Sequence, residues 1–241
     1  MKKFIVLALA ALMVLSLAAC GNEPAPTTAP TQKTAETTAA KPDETKAPDQ
    51  TEAVTPETTK ASSGKTEAGE WETKGLPSVP QACLEGRVAI TSIGQSADVD
   101  VVMNQLKKLK IDYYEAKLIT ADQLTAAYPI LICVVGGSSK GLGGAGLDQD
   151  QEEARVKALL DKAVELKTKI VMIHNGGVDR RGTLSDAFIK LAFPYAEYAI
   201  VKISGDTDDL MKNILSGKNV PSAFVEKDAD VQAVLKYMFG K

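Results

Sequence analysis

The chain has 241 residues, 44% hydrophobic, 24% charged and 5% aromatic, with 28 basic and 31 acidic side chains for a net charge of −3. That balance excludes the strongly basic footprint of a nucleic-acid-binding domain. One histidine with scattered carboxylates lacks the spacing of a metal centre, so neither metal nor nucleic acid is an expected partner.

Lys2 and Lys3 precede an apolar run from Phe4 to Leu17, too short for a comfortable membrane span, and small residues lead from it to Cys20. This is the order of an export signal. The ending "LAAC-G" closely resembles the lipobox of bacterial lipoproteins. The resemblance implies a signal peptide over residues 1–19, cleavage before Cys20, acylation of its thiol, and anchoring on the extracytoplasmic face of the bacterial cell membrane. At least two acyl chains on one residue, each buried methylene contributing about 0.8 kcal/mol, make such an anchor stable.

From Gly21 to Gly75 the chain turns to Thr, Ala, Pro, Lys and Glu, with six lysines against ten acidic residues. So little apolar surface does not offset the entropy of ordering, and residues 20–75 are expected to be a lipidated cysteine followed by a disordered tether. Random-coil scaling puts the tether's end roughly 40 Å from the bilayer.

Residues 76–241 are then one domain, carrying 20 basic and 21 acidic side chains. Apolar periodicity predicts a strand over Arg87–Gly94, a helix over Ser96–Lys110, a strand over Asp112–Ile119 and a short helix over Asp122–Ala127. A buried strand, Pro129–Val135, the long helix Gln151–Lys167 and the strand Lys169–Asn175 come next. The chain closes with a helix over Thr183–Phe193, a strand over Tyr198–Ser204, a helix over Thr207–Leu215, a strand over Ser222–Glu226 and a helix over Asp230–Phe239. Strict alternation predicts an α/β fold: a three-layer, doubly wound, mostly parallel sheet, flavodoxin-like or Rossmann-like. Cys133 lies in the apolar run "PILICVV" as a core thiol. Cys83 precedes the first strand, and nothing in the spacing asks for a disulfide between them.

Six glycines fall between Gly136 and Gly146 in "GGSSKGLGGAG". Gly141–Gly146 matches the spacing of a dinucleotide fingerprint, but "SSKG" separates it from the strand, and His174 and Asn175 stand where the ribose-binding acid belongs. Lys140 precedes the run and no Gly-Lys-Ser/Thr follows, so it is no P-loop, and no cofactor is expected. The run is expected to be a loop of unusual backbone whose amides, with Ser138, Ser139 and Lys140, approach a ligand closely.

The stretch "IHNGGVDRRGTLSD" (Ile173–Asp186) brings the chain's one histidine, a glycine pair and two arginines to the end of another strand, and "GQSAD" (Gly94–Asp98) ends the first. In the expected fold all three loops meet at the carboxyl edge of the sheet, where open α/β sheets bind ligands. Together "TSIGQSAD", "GGSSKGLGGAG" with Glu-Ala-Arg behind it, and "HNGG-x-x-RRG-x-x-SD" resemble an uncharacterised family of exported bacterial α/β domains. That resemblance implies a fold over nearly the whole of residues 76–241 and supplies no activity.

The leading expectation is a binding domain for a small anionic ligand, with Lys140, Arg180 and Arg181 supplying charge. Ser138, Ser139 and the amides of Gly141, Gly143, Gly144, Gly176 and Gly177 would supply hydrogen bonds, and Gln95, Ser96 and Asp186 orientation, with His174 and Ser185 at the same ligand site. A rival is a hydrolase with His174 as base, Asp186 orienting it and Ser138, Ser139 or Ser185 as nucleophile, although no serine sits in a G-x-S-x-G elbow. A third is a cell-surface protein-interaction domain using Tyr113, Tyr114 or Tyr195.

Overall fold

A computed structural model describes residues 70–241; the expected signal peptide, Cys20 and nearly all of the expected tether lie outside them. Six strands form one sheet: β1 (Val88–Ile93), β2 (Tyr113–Glu115), β3 (Ile130–Val135), β4 (Lys169–His174), β5 (Tyr198–Lys202) and β6 (Ser222–Val225). Every pairing is parallel and the order is β2-β1-β3-β4-β5-β6. The first five strands follow the flavodoxin-like order, not the Rossmann one, and the chain reverses direction across the sheet between β1 and β3.

β1 and β3 are buried along their whole length; β3 meets this with a continuous apolar run, whereas β1 carries Thr91 and Ser92, whose hydroxyls donate to Lys117 O and Ser96 O. Alternate residues serve opposite faces. Ile130, Ile132 and Val134 pack with Val99, Val102 and Leu106 of α1 (Asp98–Lys108) and with Val231, Val234 and Leu235 of α6 (Asp228–Met238). Leu131, Cys133 and Val135 face the other layer, with Leu142 of α2 (Ser139–Gly144) and Val156 and Leu159 of α3 (Gln149–Glu165). Phe188 and Ile189 of α4 (Thr183–Ala192) and Met211 and Leu215 of α5 (Leu210–Ser216) complete that layer.

Three local expectations are corrected. Residues Asp122–Ala127 form turns instead of a helix, with Leu124 their one core anchor before Pro129 restricts the backbone. The second strand pairs over three residues only. Most consequentially, the middle of the glycine run is not a loop: Ser139–Gly144 is helical, capped by Ser138, while Gly136, Gly137 and Gly146 lie outside the helix. The tyrosines expected at the surface are half-buried. Tyr114 stacks on Tyr128 at 5.3 Å, Tyr113 packs against the α1 layer, and Tyr195 donates its hydroxyl to Asp161 Oδ1.

Ordered packing begins ahead of Leu76. Trp71 meets the Tyr237 ring edge-on at 5.3 Å, Glu72 bridges antiparallel to Phe224, and Ser222 N donates to Pro77 O. This segment occupies the free edge of β6, where unpaired backbone groups would otherwise invite another chain. Lys74 fastens it by donating to Asp206 O at 2.6 Å and Asp209 Oδ1 at 2.9 Å.

Candidate functional site

The carboxyl ends of β1, β3 and β4 are laced together by backbone approaches that only glycine allows. Gly94 has φ +84°, and a Cβ there would lie 2.6 Å from Phe188 and 2.8 Å from Gly136 O. Ser138 N donates to Gly94 O at 2.8 Å, Gln95 bridges Gly137, and Gly137 N donates to Ser185 Oγ at 2.9 Å. Ser138 Oγ accepts from Gly141 N at 3.0 Å as the cap of α2. Ser138 and Ser185 are therefore committed to backbone. Ser139, Lys140, Gly143 and Gly144 are exposed on α2, a helix of six residues.

Beneath the β1 loop lies a buried ion pair that sequence reasoning missed. Glu152 is fully buried and accepts from Gly94 N and Gln95 Nε2, each at 2.9 Å. Arg155 grips it with two bonds, Nε to Oε2 at 2.7 Å and Nη2 to Oε1 at 2.8 Å, and also donates to Ile119 O and Ser92 O. The bidentate geometry and the carbonyl acceptors offset the desolvation of both charges. The signal was present in "EEAR", where residues 152 and 155 are one helical turn apart.

Arg181 belongs to a clamp. Its Nε donates to Asp186 Oδ1 at 2.7 Å, its Nη2 to Asp208 Oδ2 at 2.8 Å and its Nη1 to Gly205 O at 2.6 Å. Two carboxylates raise its pKa further, and the guanidinium holds those of Asp186 and Asp208 well below the usual carboxylate range. An anion site built on both arginines is not what forms, because the charge of Arg181 is already balanced.

His174 is fully buried, with Nδ1 3.0 Å from Val135 O and Nε2 3.3 Å from Gly177 O. A Cβ on Gly205 would lie 2.5 Å from Nε2, so that side is closed as well. Asp186 is held by Arg181, and no candidate serine bonds to the imidazole among the described residues, so the expected His-Asp-Ser relay does not assemble. Burial lowers the His174 pKa from its ordinary value. As pH falls below about 6.5 the unfolded chain binds a proton that the folded one resists, so stability drops until the folded pKa is passed. Urea midpoints are expected to fall between about pH 7 and 5. The slope should flatten in His174→Phe, since this is the chain's one histidine.

What the structure does bring together is Ser96, Asp98, Asn175 and Arg180, around Gly136 and Gly176. Arg180 Nε donates to both Ser96 Oγ and Asp98 Oδ2 at 3.0 Å, and Ser96 Oγ donates to Asp98 Oδ2 at 2.5 Å. Asn175 Nδ2 donates to Asp98 O at 3.4 Å, while its Oδ1 is buried with no donor. The Arg180 side chain lies against Gly176 Cα, where a Cβ would overlap its Cγ and come 2.5 Å from Asp98 Oδ2. Ser96, Gly176 and Arg180 were expected at a site. Asp98 was legible only as the end of "GQSAD", and Asn175 only as a fingerprint mismatch.

This cluster sits at the β1/β3 switch point and keeps about a third of the Arg180 side chain exposed. A shallow cavity of about 430 Å³ lined by Tyr195, Glu197, Tyr198, Lys218 and Pro221 lies instead at the amino ends of β5 and β6.

A family model described as a domain of unknown function (DUF6305) matches residues 85–239. No curated protein matches the chain. Among solved structures, a GDSL-like lipase from Bacteroides thetaiotaomicron VPI-5482 is 12% identical, with 57% of this chain and 67% of that one covered and a TM-score of 0.27. An esterase, AlinE4 in a mutant form, is 11% identical over 61% of this chain and 79% of that one, with a TM-score of 0.27. Similarity at that level says nothing of activity.

Proposed function

The chain belongs to the DUF6305 family, and from that premise we propose that its domain binds a small polar ligand at the carboxyl edge of the sheet while tethered to the bacterial membrane through Cys20. The observation that carries the reading is the cluster of Ser96, Asp98, Asn175 and Arg180 at the switch point. Among the described residues, Arg180 Nη1 and Nη2 and Asp98 Oδ1 have no partner, and Asn175 Oδ1 is a buried acceptor without a donor. A buried acceptor left unpaired costs about 1–3 kcal/mol, a cost that the fold carries at this edge. The export signal ending in "LAAC-G" supports the tether.

A thermal-shift screen of the full chain in detergent against metabolites tests the binding reading. A ligand at a hundredfold excess over its Kd adds about 2.7 kcal/mol of apparent stability. The shift is expected to vanish in Arg180→Ala, whereas Arg181→Ala lowers the baseline melting temperature and leaves the shift. A ligand whose shift survives Arg180→Ala would place binding elsewhere. For the tether, Cys20→Ser is expected to move the protein from the membrane pellet to the soluble fraction, and equal partitioning of both forms would refute acylation there.

A further inference from the structure

We infer that the Asp98–Arg180 cluster takes an α-amino acid in its zwitterionic form, an inference that rests on the reading of this edge as a ligand site. The argument begins with charge. Asp98 and Arg180 form a salt bridge at 3.0 Å with side chains 18% and 34% exposed, so the cluster is neutral but keeps both a positive and a negative group within reach.

A simple anion on Arg180 would be repelled by Asp98, and a simple cation on Asp98 by Arg180. A ligand that carries both charges one carbon apart is complementary to two opposite charges held side by side.

The unpartnered atoms have the matching polarity. Nη1 and Nη2 of Arg180 present two N–H donors to a carboxylate, the fork that guanidinium offers better than any other side chain. Asp98 Oδ1 is an unpartnered acceptor, and an ammonium brings three donors. Ser96, only 2% exposed, buttresses both charged groups through its hydroxyl, which fixes their separation before ligand arrives. Gly136 and Gly176 let the pair sit against bare backbone: a Cβ at Gly176 would come 2.5 Å from Asp98 Oδ2, and one at Gly136 would come 3.2 Å from Ser96 Cβ.

Titration calorimetry of the full chain in detergent tests this with glycine and a panel of L-α-amino acids, set against acetate, methylamine, inorganic phosphate and glucose. At least one amino acid is expected to bind at least about tenfold more tightly than acetate or methylamine. Arg180→Ala is expected to weaken it by about 30-fold or more, as loss of a charge-paired contact does. Asp98→Asn is expected to weaken the amino acid too, yet to strengthen acetate and phosphate, because it removes the opposing charge. A merely structural Asp98 would not produce that inversion. Binding of phosphate, acetate or glucose in preference to every amino acid, sensitive to Arg180→Ala, overturns the zwitterion and leaves the site standing. Silence from all probes also overturns the zwitterion, and the site falls with it only if the broader screen is blank.

Discussion

Gly141→Ala is expected to destabilise the domain by about 3 kcal/mol, while Gly143→Ala and Gly144→Ala, two and three residues away in the same helix, each stabilise it by about 0.5–1 kcal/mol. Glycine is among the poorest helix formers, and α2 holds three in six residues. The helix persists because Ser138 caps it and because Leu142, 5% exposed, anchors it in the core. At Gly141 a Cβ would overlap the carbonyl oxygen of Gln95, a backbone atom that no rotamer change can move aside. The β1 loop would have to shift, straining the bonds from Gly94 N and Gln95 Nε2 to Glu152. At Gly143 and Gly144 nothing lies within 4 Å of a Cβ, so alanine removes unfolded-state entropy without strain. Urea unfolding of the three variants measures this, and a neutral Gly141→Ala would refute the close approach of α2 to the β1 loop.

Arg155→Leu is expected to cost about 3–5 kcal/mol, the largest effect of any single side chain near the site. The substitution leaves the Glu152 carboxylate fully buried with only Gly94 N and Gln95 Nε2 as donors, and frees the carbonyls of Ile119 and Ser92. Replacing both partners, Glu152→Leu with Arg155→Leu, is expected to cost less than the single change, because no uncompensated charge remains. The recovery is partial, since two donors in the β1 loop lose their acceptor. A double-mutant cycle by chemical denaturation reads the difference, and a double variant no more stable than Arg155→Leu would show that the carboxylate is not the source of the cost.

The arrangement of the site explains why its residues were unevenly legible. Arg180 and Arg181 are neighbours in sequence and look equivalent, yet the backbone between the Gly177–Arg180 turn and α4 sends them apart. One pairs with Asp98 over the switch point, the other disappears between Asp186 and Asp208. Asp208 lies in the loop after β5, which no spacing rule connects to Arg181. His174 carried the usual promise of a lone histidine at a strand end. Its true surroundings are two carbonyls and the bare face of Gly205, which comes from a different strand's loop. The glycine run misled for a related reason: local propensity argues against helix, and the tertiary contact of Leu142 together with the Ser138 cap overrides it.

By itself the sequence determined the α/β class, the largely apolar central strands and the long amphipathic helices, because hydrophobic periodicity is a local property that burial enforces directly. It also determined that polar, glycine-bearing segments follow β1, β3 and β4, since alternation of strands and helices sends those loops to one edge. Only the tertiary structure decided the strand order, the helical state of the glycine run, the burial of Glu152 with Arg155 and the separation of the two arginines. Each of these depends on which loops lie across from one another, and distant pairs of charges and backbone atoms leave no periodic trace along a single chain.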